Sequence, residues 1–194
     1  MSTENRIVNI YLIRGYKGHG KSTYADFLVR QNKQENIAIA FADPLKEEVY
    51  KRLNIKNSIS EYNKFKDTIV FNGKTFRQCM IETAGQKPSG HYANILWSKI
   101  LLFDSSIKNV IVHDWRFQIE YKTLNSNIEK GSDPFNPTGN TSEIKYNIIT
   151  CHIINKRGAV PPLSDETEHD LDSFKTDVTI NVLSDGSYDI TFND

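Results

Sequence analysis

Residues 7–32 read IVNIYLIRGYKGHGKSTYADFLVRQN, and the order of segments within them decides the fold. Ile7 to Ile13 is a nearly continuous apolar run rich in β-branched residues, the composition of a strand buried on both faces of a parallel sheet. From Lys21 to about Asn32, Tyr24, Phe27, Leu28 and Gln31 share one mostly apolar stripe, which predicts a helix packed on that sheet. Between the two, Gly15 to Ser22 spell GYKGHGKS, the spacing G-x-x-x-x-G-K-[ST] in the strand–loop–helix setting that gives it meaning. Glycines let the backbone curl so that successive N–H groups point into one concavity, and the helix N-terminus adds a field favourable to phosphate. Gly15, Gly18, His19, Gly20, Lys21, Ser22 and Thr23 are therefore expected to cradle ATP. Lys21 is the expected contact to the β- and γ-phosphates, and the Ser22 hydroxyl an expected Mg²⁺ ligand. His19 reads equally as a phosphate contact or as an exposed loop histidine.

Outward from this loop the βα alternation continues. Ile37 to Ala42 is a second buried run, with Asp43 and Pro44 as the expected N-cap and first residue of a helix carrying Leu45, Val49 and Leu53. Residues 54–74 are polar and mixed and receive no assignment. Thr75 is expected to cap a helix over Phe76 to Ala84 that Gly85 ends, and Tyr92, Ile95, Leu96 and Lys99 mark another before Phe103. Asn109 to His113 reads as a third strand closed by Asp114, followed by a brief helix from Gln118 to Asn125. Residues 126–142 read as a surface insertion, Tyr146 to Ile154 as a strand, and 155–166, basic and rich in breakers, as a lid loop. At the end, Val178, Ile180 and Val182 alternate, Asp185-Gly186 turns, and Tyr188, Ile190 and Phe192 alternate again, a hairpin pattern. The expected architecture is one α/β domain over 1–194, three-layer α/β/α, with a mainly parallel central sheet, helices on both faces, a lid and a C-terminal hairpin.

Composition limits the alternatives. At 194 residues the chain can bury one good core, and 38% hydrophobic with 25% charged residues is a folding composition. Lys+Arg and Asp+Glu are both 24, so no general attraction to a nucleic-acid polymer or an anionic membrane is implied, and any phosphate binding must be local. Cys79 and Cys151 lie far from each other and from any His at metal-ligand spacing, so buried apolar thiols are expected. No run approaches a membrane span, and the start MSTENR lacks a signal-peptide core, which predicts a cytoplasmic protein and makes the sequon at Asn140 to Ser142 a chance match.

Other segments carry candidate site residues. The run NVIVHD ends a strand in Asp114, the form of an element that holds Mg²⁺ through water, and Arg116 follows in reach of phosphate. Asp43 lies at the carboxyl end of the second strand, where it either faces an acceptor substrate or caps its helix. Lys46, Arg77 and Arg157 are candidate phosphate binders. Trp97 and Trp115 are candidates to stack on a base, with core packing the default for Trp97.

GYKGHGKST, FADPLKEEV (Phe41 to Val49), the helix end from Arg77 to Gly85, VIVHDWRFQIE (Val110 to Glu120) and SDETEHDLD (Ser164 to Asp172) together resemble the deoxynucleoside monophosphate kinases of large phages and DNA viruses, a branch of the P-loop nucleoside monophosphate kinases. The resemblance implies that Lys21 and Ser22 serve ATP and Mg²⁺ and that Asp43, Arg77 and Arg116 face a dNMP. It makes Arg157 a lid arginine, and Arg116 and Arg157 catalytic residues along with Lys21 and Asp114. The implied reaction passes the γ-phosphoryl of ATP to the dNMP, giving ADP and dNDP. Trp115 replaces an expected small aliphatic residue, and the terminal hairpin stands where the family more often has a helix. A kinase resembling dephospho-coenzyme A kinase, with Asp43 as base, and a regulatory nucleotide-binding protein are the alternatives. A homodimer is left open.

Overall fold

The computed structural model describes residues 6–56, 61–131, 144–158, 160 and 169–193. The chain runs β1 (Arg6–Arg14), α1 (Lys21–Gln31), β2 (Asn36–Ile39), α2 (Ala42–Leu53), α3 (Tyr62–Phe65), β3 (Ile69–Phe71), β4 (Lys74–Thr75), α4 (Phe76–Gly85), α5 (His91–Leu101), β5 (Asn109–Val112), α6 (Gln118–Lys130), β6 (Ile144–Ile154), β7 (Val178–Val182) and β8 (Tyr188–Phe192). Six strands form one sheet in the order β2-β5-β1-β6-β7-β8; the first five are parallel and β8 is antiparallel to β7. β1 lies inside, with Leu12 beside Val112 on one flank and Thr150 on the other.

Burial on both faces explains why β1 reads as a continuous apolar run. Val8, Ile10 and Leu12 point into a core with Val110 and Val112 of β5, Leu96, Trp97 and Ile100 of α5, and Leu124 of α6. On the opposite face Ile13, Ile111, Cys151, Ile153 and Ile180 meet Tyr24 and Ala25 of α1. A third cluster joins α2 to α4 through Val49, Tyr50, Phe76, Cys79 and Met80. Phe76 is its centre, edge-on to Tyr50, Tyr62 and Phe65 at 4.9, 5.8 and 5.3 Å. Both cysteines are buried free thiols, and burial, with Asp177 nearby, pushes the Cys151 thiol up to about 12. Among the described residues no helix is long and apolar enough to cross a membrane.

The structure corrects several boundaries. α2 starts at Ala42 with Phe41 as its N-cap residue, so Asp43 sits inside the first turn rather than capping it; its carboxylate accepts from the Ala40 N–H (3.0 Å) and pairs with Lys46 (2.8 Å). Gly85 is the last residue of α4 and Gln86 its C-cap. β5 ends at Val112, leaving His113 in the turn. α6 runs to Lys130, into the stretch read as an insertion, because Asn127 is buried and donates from Nδ2 to Asn94 Oδ1 of α5 (2.9 Å), while Gly131 caps the helix with φ of 59°. Residues 54–74, left open by the sequence, supply α3 and the small β3–β4 hairpin. The remainder of the insertion, the sequon, most of the lid loop and Ser164 to Glu168 lie outside the described residues.

Candidate functional site

Because β1, β2, β5, β6 and β7 are parallel, the segments following them converge on one edge of the sheet, where open α/β sheets bind ligands. The glycine loop leaves β1 there. A side chain at Gly15 would lie 2.6 Å from the Ile153 carbonyl oxygen of β6, and Gly18 and Gly20 have φ of 85° and 92°, a region that favours glycine. The first bond of α1 runs from the Tyr24 N–H to Gly20 O (2.9 Å), so the N–H groups of Lys21, Ser22 and Thr23 precede the helical ladder. α1 has no side-chain cap and no acidic residue in its first turn. This is a concavity suited to an anion. The Lys21 ammonium folds back onto the carbonyls of Gly15 and Tyr16, and Ser22 Oγ meets His113 Nδ1 at 3.3 Å.

His19 is not an exposed loop histidine. It is 5% exposed, lies edge-on to Tyr16 at 5.3 Å, and receives the Asn155 N–H on Nδ1 at 3.4 Å. Its Nε2 is buried and without a partner among the described residues. Gly158 packs directly on this ring, and a Cβ there would collide with it.

Asp114 Oδ1 accepts from the Phe41 N–H (2.7 Å) and Oδ2 from the Ala42 N–H (3.0 Å). It thus caps α2, the task the sequence assigned to Asp43, and joins the end of β5 to the start of that helix. A carboxylate has about four acceptor positions, so these two bonds leave room for the water-mediated metal contact expected of it. Among the described residues no three His, Cys, Asp or Glu side chains form a group that could hold a metal ion.

Arg116 follows on the same connection. Glu120, in the first turn of α6, accepts the N–H groups of Arg116 and Phe117 on Oε2, both at 3.0 Å. Arg116 and Glu120 line a cleft of about 350 Å³, whose walls include Phe41, Leu45, Gly90 and His91. That volume lies at the lower end of the range for small-molecule sites, room for one nucleotide-sized ligand. Burial, then the Asp114 charge, push the Glu120 carboxyl up to about 8 against the opposing pull of those N–H groups and Arg116.

Arg116 also reaches a smaller recess shared with Arg14, Gly15, Tyr16, His152 and Asp172. Arg14, 8% exposed, donates to the Leu171 carbonyl and meets His152 Nδ1 at 3.1 Å. Burial and the Arg14 charge lower His152 to about 4, so its imidazole is neutral near pH 7. Asp172 accepts from Tyr16 Oη (3.1 and 3.0 Å) and pairs with His169 at 2.6 Å; burial opposes its ionisation, but these partners still hold its carboxyl below the ordinary range. The Gln118 N–H donates to Asp170 (2.7 Å), so the turn at His169 to Asp172 ties the glycine loop to the start of α6.

The other expected site residues disperse. Arg77 is ion-paired with Asp67 at 2.9 Å, outside the lining of the cleft, though Lys17 of the glycine loop acts electrostatically on the same carboxylate. Arg157 lines a separate recess with Ile154, Lys156, Val182 and Leu183 at the ends of β6 and β7. Trp97 is fully buried, edge-on to Tyr146 at 4.8 Å, and Trp115, 1% exposed, donates its indole N–H to Phe117 O (2.9 Å) and packs edge-on against Phe174. Neither ring offers a free face to a base, which corrects the stacking expectation. Arg14, Tyr16, Glu120, His152, Asp172 and the Lys87 to His91 wall escaped the sequence reading. The spacing of Glu120 three residues after Phe117, a first-turn glutamate, was the one available signal. The chain matches no protein-family model and no curated protein, which leaves the geometry of this edge as the ground for a functional reading.

Proposed function

We propose that the chain is an ATP-dependent deoxynucleoside monophosphate kinase of the P-loop type. One observation carries the reading: Arg116 lines both the cleft and the recess that holds Gly15 and Tyr16 at the entry of the glycine loop, so one residue borders the proposed acceptor cleft and the loop proposed to cradle the donor. Donor phosphates fit the N–H groups of Lys21 to Thr23 at the start of α1, and Lys21 exchanges the carbonyls of Gly15 and Tyr16 for phosphate oxygens. The recess lined by Arg157 and Leu183, reached from the same loop through the His19–Asn155 contact, suits the donor base. Ser22, and Asp114 through water, are the residues that would hold Mg²⁺, which would supply charge neutralisation to the transferring phosphate. A nucleotide phosphate is ionised near neutral pH and needs no strong base, so positioning and charge neutralisation by Lys21 and Arg116 account for the catalysis.

The state of Asp43 weighs against a hydroxyl acceptor. Its carboxylate is engaged by the Ala40 N–H and the Lys46 ammonium, a poor arrangement for a general base. The test is ADP release from ATP and Mg²⁺ with dAMP, dCMP, dGMP or dTMP added in turn, on wild type and Asp43→Asn. Stimulation by at least one dNMP is expected, with the variant raising KM for that dNMP more than it lowers kcat. No stimulation of folded protein by any of the four, or a variant that loses chemistry while binding normally, contradicts the reading.

A further inference from the structure

We propose that Glu120 is an acceptor-recognising residue, which presents Oε1 to the cleft and takes up a proton when the anionic acceptor binds. The inference rests on the reading of this cleft as the acceptor site. The two carboxyl oxygens of Glu120 have different surroundings. Oε2 is turned to the backbone and holds the Arg116 and Phe117 N–H groups, whereas Oε1 has no hydrogen-bond partner among the described residues and belongs to a side chain lining the cleft. The same carboxyl thus fixes the main chain of the arginine that meets the phosphate and offers one oxygen to the ligand.

The charges around it decide its state. Asp114 and Arg116 act on it from its own connection, and Lys87, His91 and Tyr92 are the other titratable residues of the lining; α2 and its N-cap contribute Phe41, Ala42 and Leu45, which carry no charge. Lys87 is already paired with Glu48 at 2.6 Å. If Glu120 and Asp114 were both ionised, two carboxylates would oppose an incoming phosphate with Arg116 the nearest cation. Neutral Glu120 removes one negative charge and turns Oε1 into a donor. With its carboxyl raised to about 8, Glu120 is largely neutral below that pH and must gain a proton on binding above it. Acceptor affinity is therefore full below about 8 and falls as pH rises further, approaching about tenfold per pH unit.

The experiment is calorimetric titration of the whole chain with dAMP, dCMP, dGMP and dTMP from pH 7.5 to 9.5, in buffers of different ionisation enthalpy, for wild type, Glu120→Gln and His91→Gln. This range lies above the second ionisation of a phosphate monoester at about 6, and adenine and cytosine have no proton to lose within it, so the proton count is read from dAMP and dCMP, and from dGMP and dTMP only at the lower end of the range. Wild type and His91→Gln should take up close to one proton at pH 9 and lose affinity about tenfold per unit, while Glu120→Gln takes up none and keeps its pH 7.5 affinity throughout. The amide can still accept the two N–H groups and is always neutral, so Glu120→Gln should melt at or above the wild-type temperature at pH 9. Unchanged proton uptake in Glu120→Gln, or its loss in His91→Gln, overturns the assignment. Proton-linked dNMP binding without dNDP formation refutes the kinase reading and leaves Glu120 standing; dNDP formation with pH-independent acceptor affinity does the reverse.

Discussion

Gly158 and His19 belong to different loops, yet each fixes the other. The glycine has no side chain because an imidazole occupies the space where one would project, and that imidazole keeps its Nε2 buried within the glycine loop. Gly158→Ala is expected to push His19 from its place at a cost of about 1–3 kcal/mol and to weaken ATP binding several-fold. Equilibrium titration with a fluorescent ATP analogue, alongside a melting curve, checks this, and unchanged ATP affinity in a folded variant would remove His19 from the donor site. Some residue positions were legible from spacing alone. GKS in its strand–loop–helix setting placed Lys21 and Ser22 at the start of α1, whereas Trp97 and Trp115 could be read either as base platforms or as core, and only their enclosure against Tyr146 and Phe174 decides. Glu120 was hidden because its raised carboxyl depends first on burial and then on the charge of Asp114, six residues back, neither of which local spacing reveals.

Helices and strands with strong periodicity or caps were readable, and those depending on distant partners were not. Thr75 announces α4: its hydroxyl accepts the Gln78 N–H at 3.2 Å while the Gln78 side chain accepts the Thr75 N–H at 2.8 Å, a reciprocal cap formed within four residues. Thr75→Ala should lower unfolding stability by about 0.5–2 kcal/mol, read from urea denaturation; no change in the midpoint would mean that the cap adds nothing beyond the packing of Phe76. α2 shows the opposite case. Its start was assigned to Asp43 because Asp-Pro is a local start signal, but the first-turn N–H groups are taken by Asp114, more than seventy positions away. α6 likewise outran its expected end because Asn127 finds Asn94 across α5, a partner no local pattern reveals.

At the scale of the molecule, βα alternation foretold a parallel sheet, and Asp185-Gly186 foretold the antiparallel β8. Strand order was not legible. β5 inserts between β2 and β1, and this brings the Asp114 to Phe117 connection beside both the glycine loop and the start of α2. The proposed acceptor side follows from that insertion, while β6, on the other flank of β1, brings Asn155 and Gly158 to His19. The most direct test is to supply ATP labelled in its γ-phosphate, with Mg²⁺ and each dNMP, and to identify the labelled product from wild type and Lys21→Ala. The account predicts labelled dNDP from wild type and at least a hundredfold less, about 3 kcal/mol of lost transition-state stabilisation, from Lys21→Ala. Label that leaves only as inorganic phosphate, or equal dNDP formation by both proteins, would contradict it.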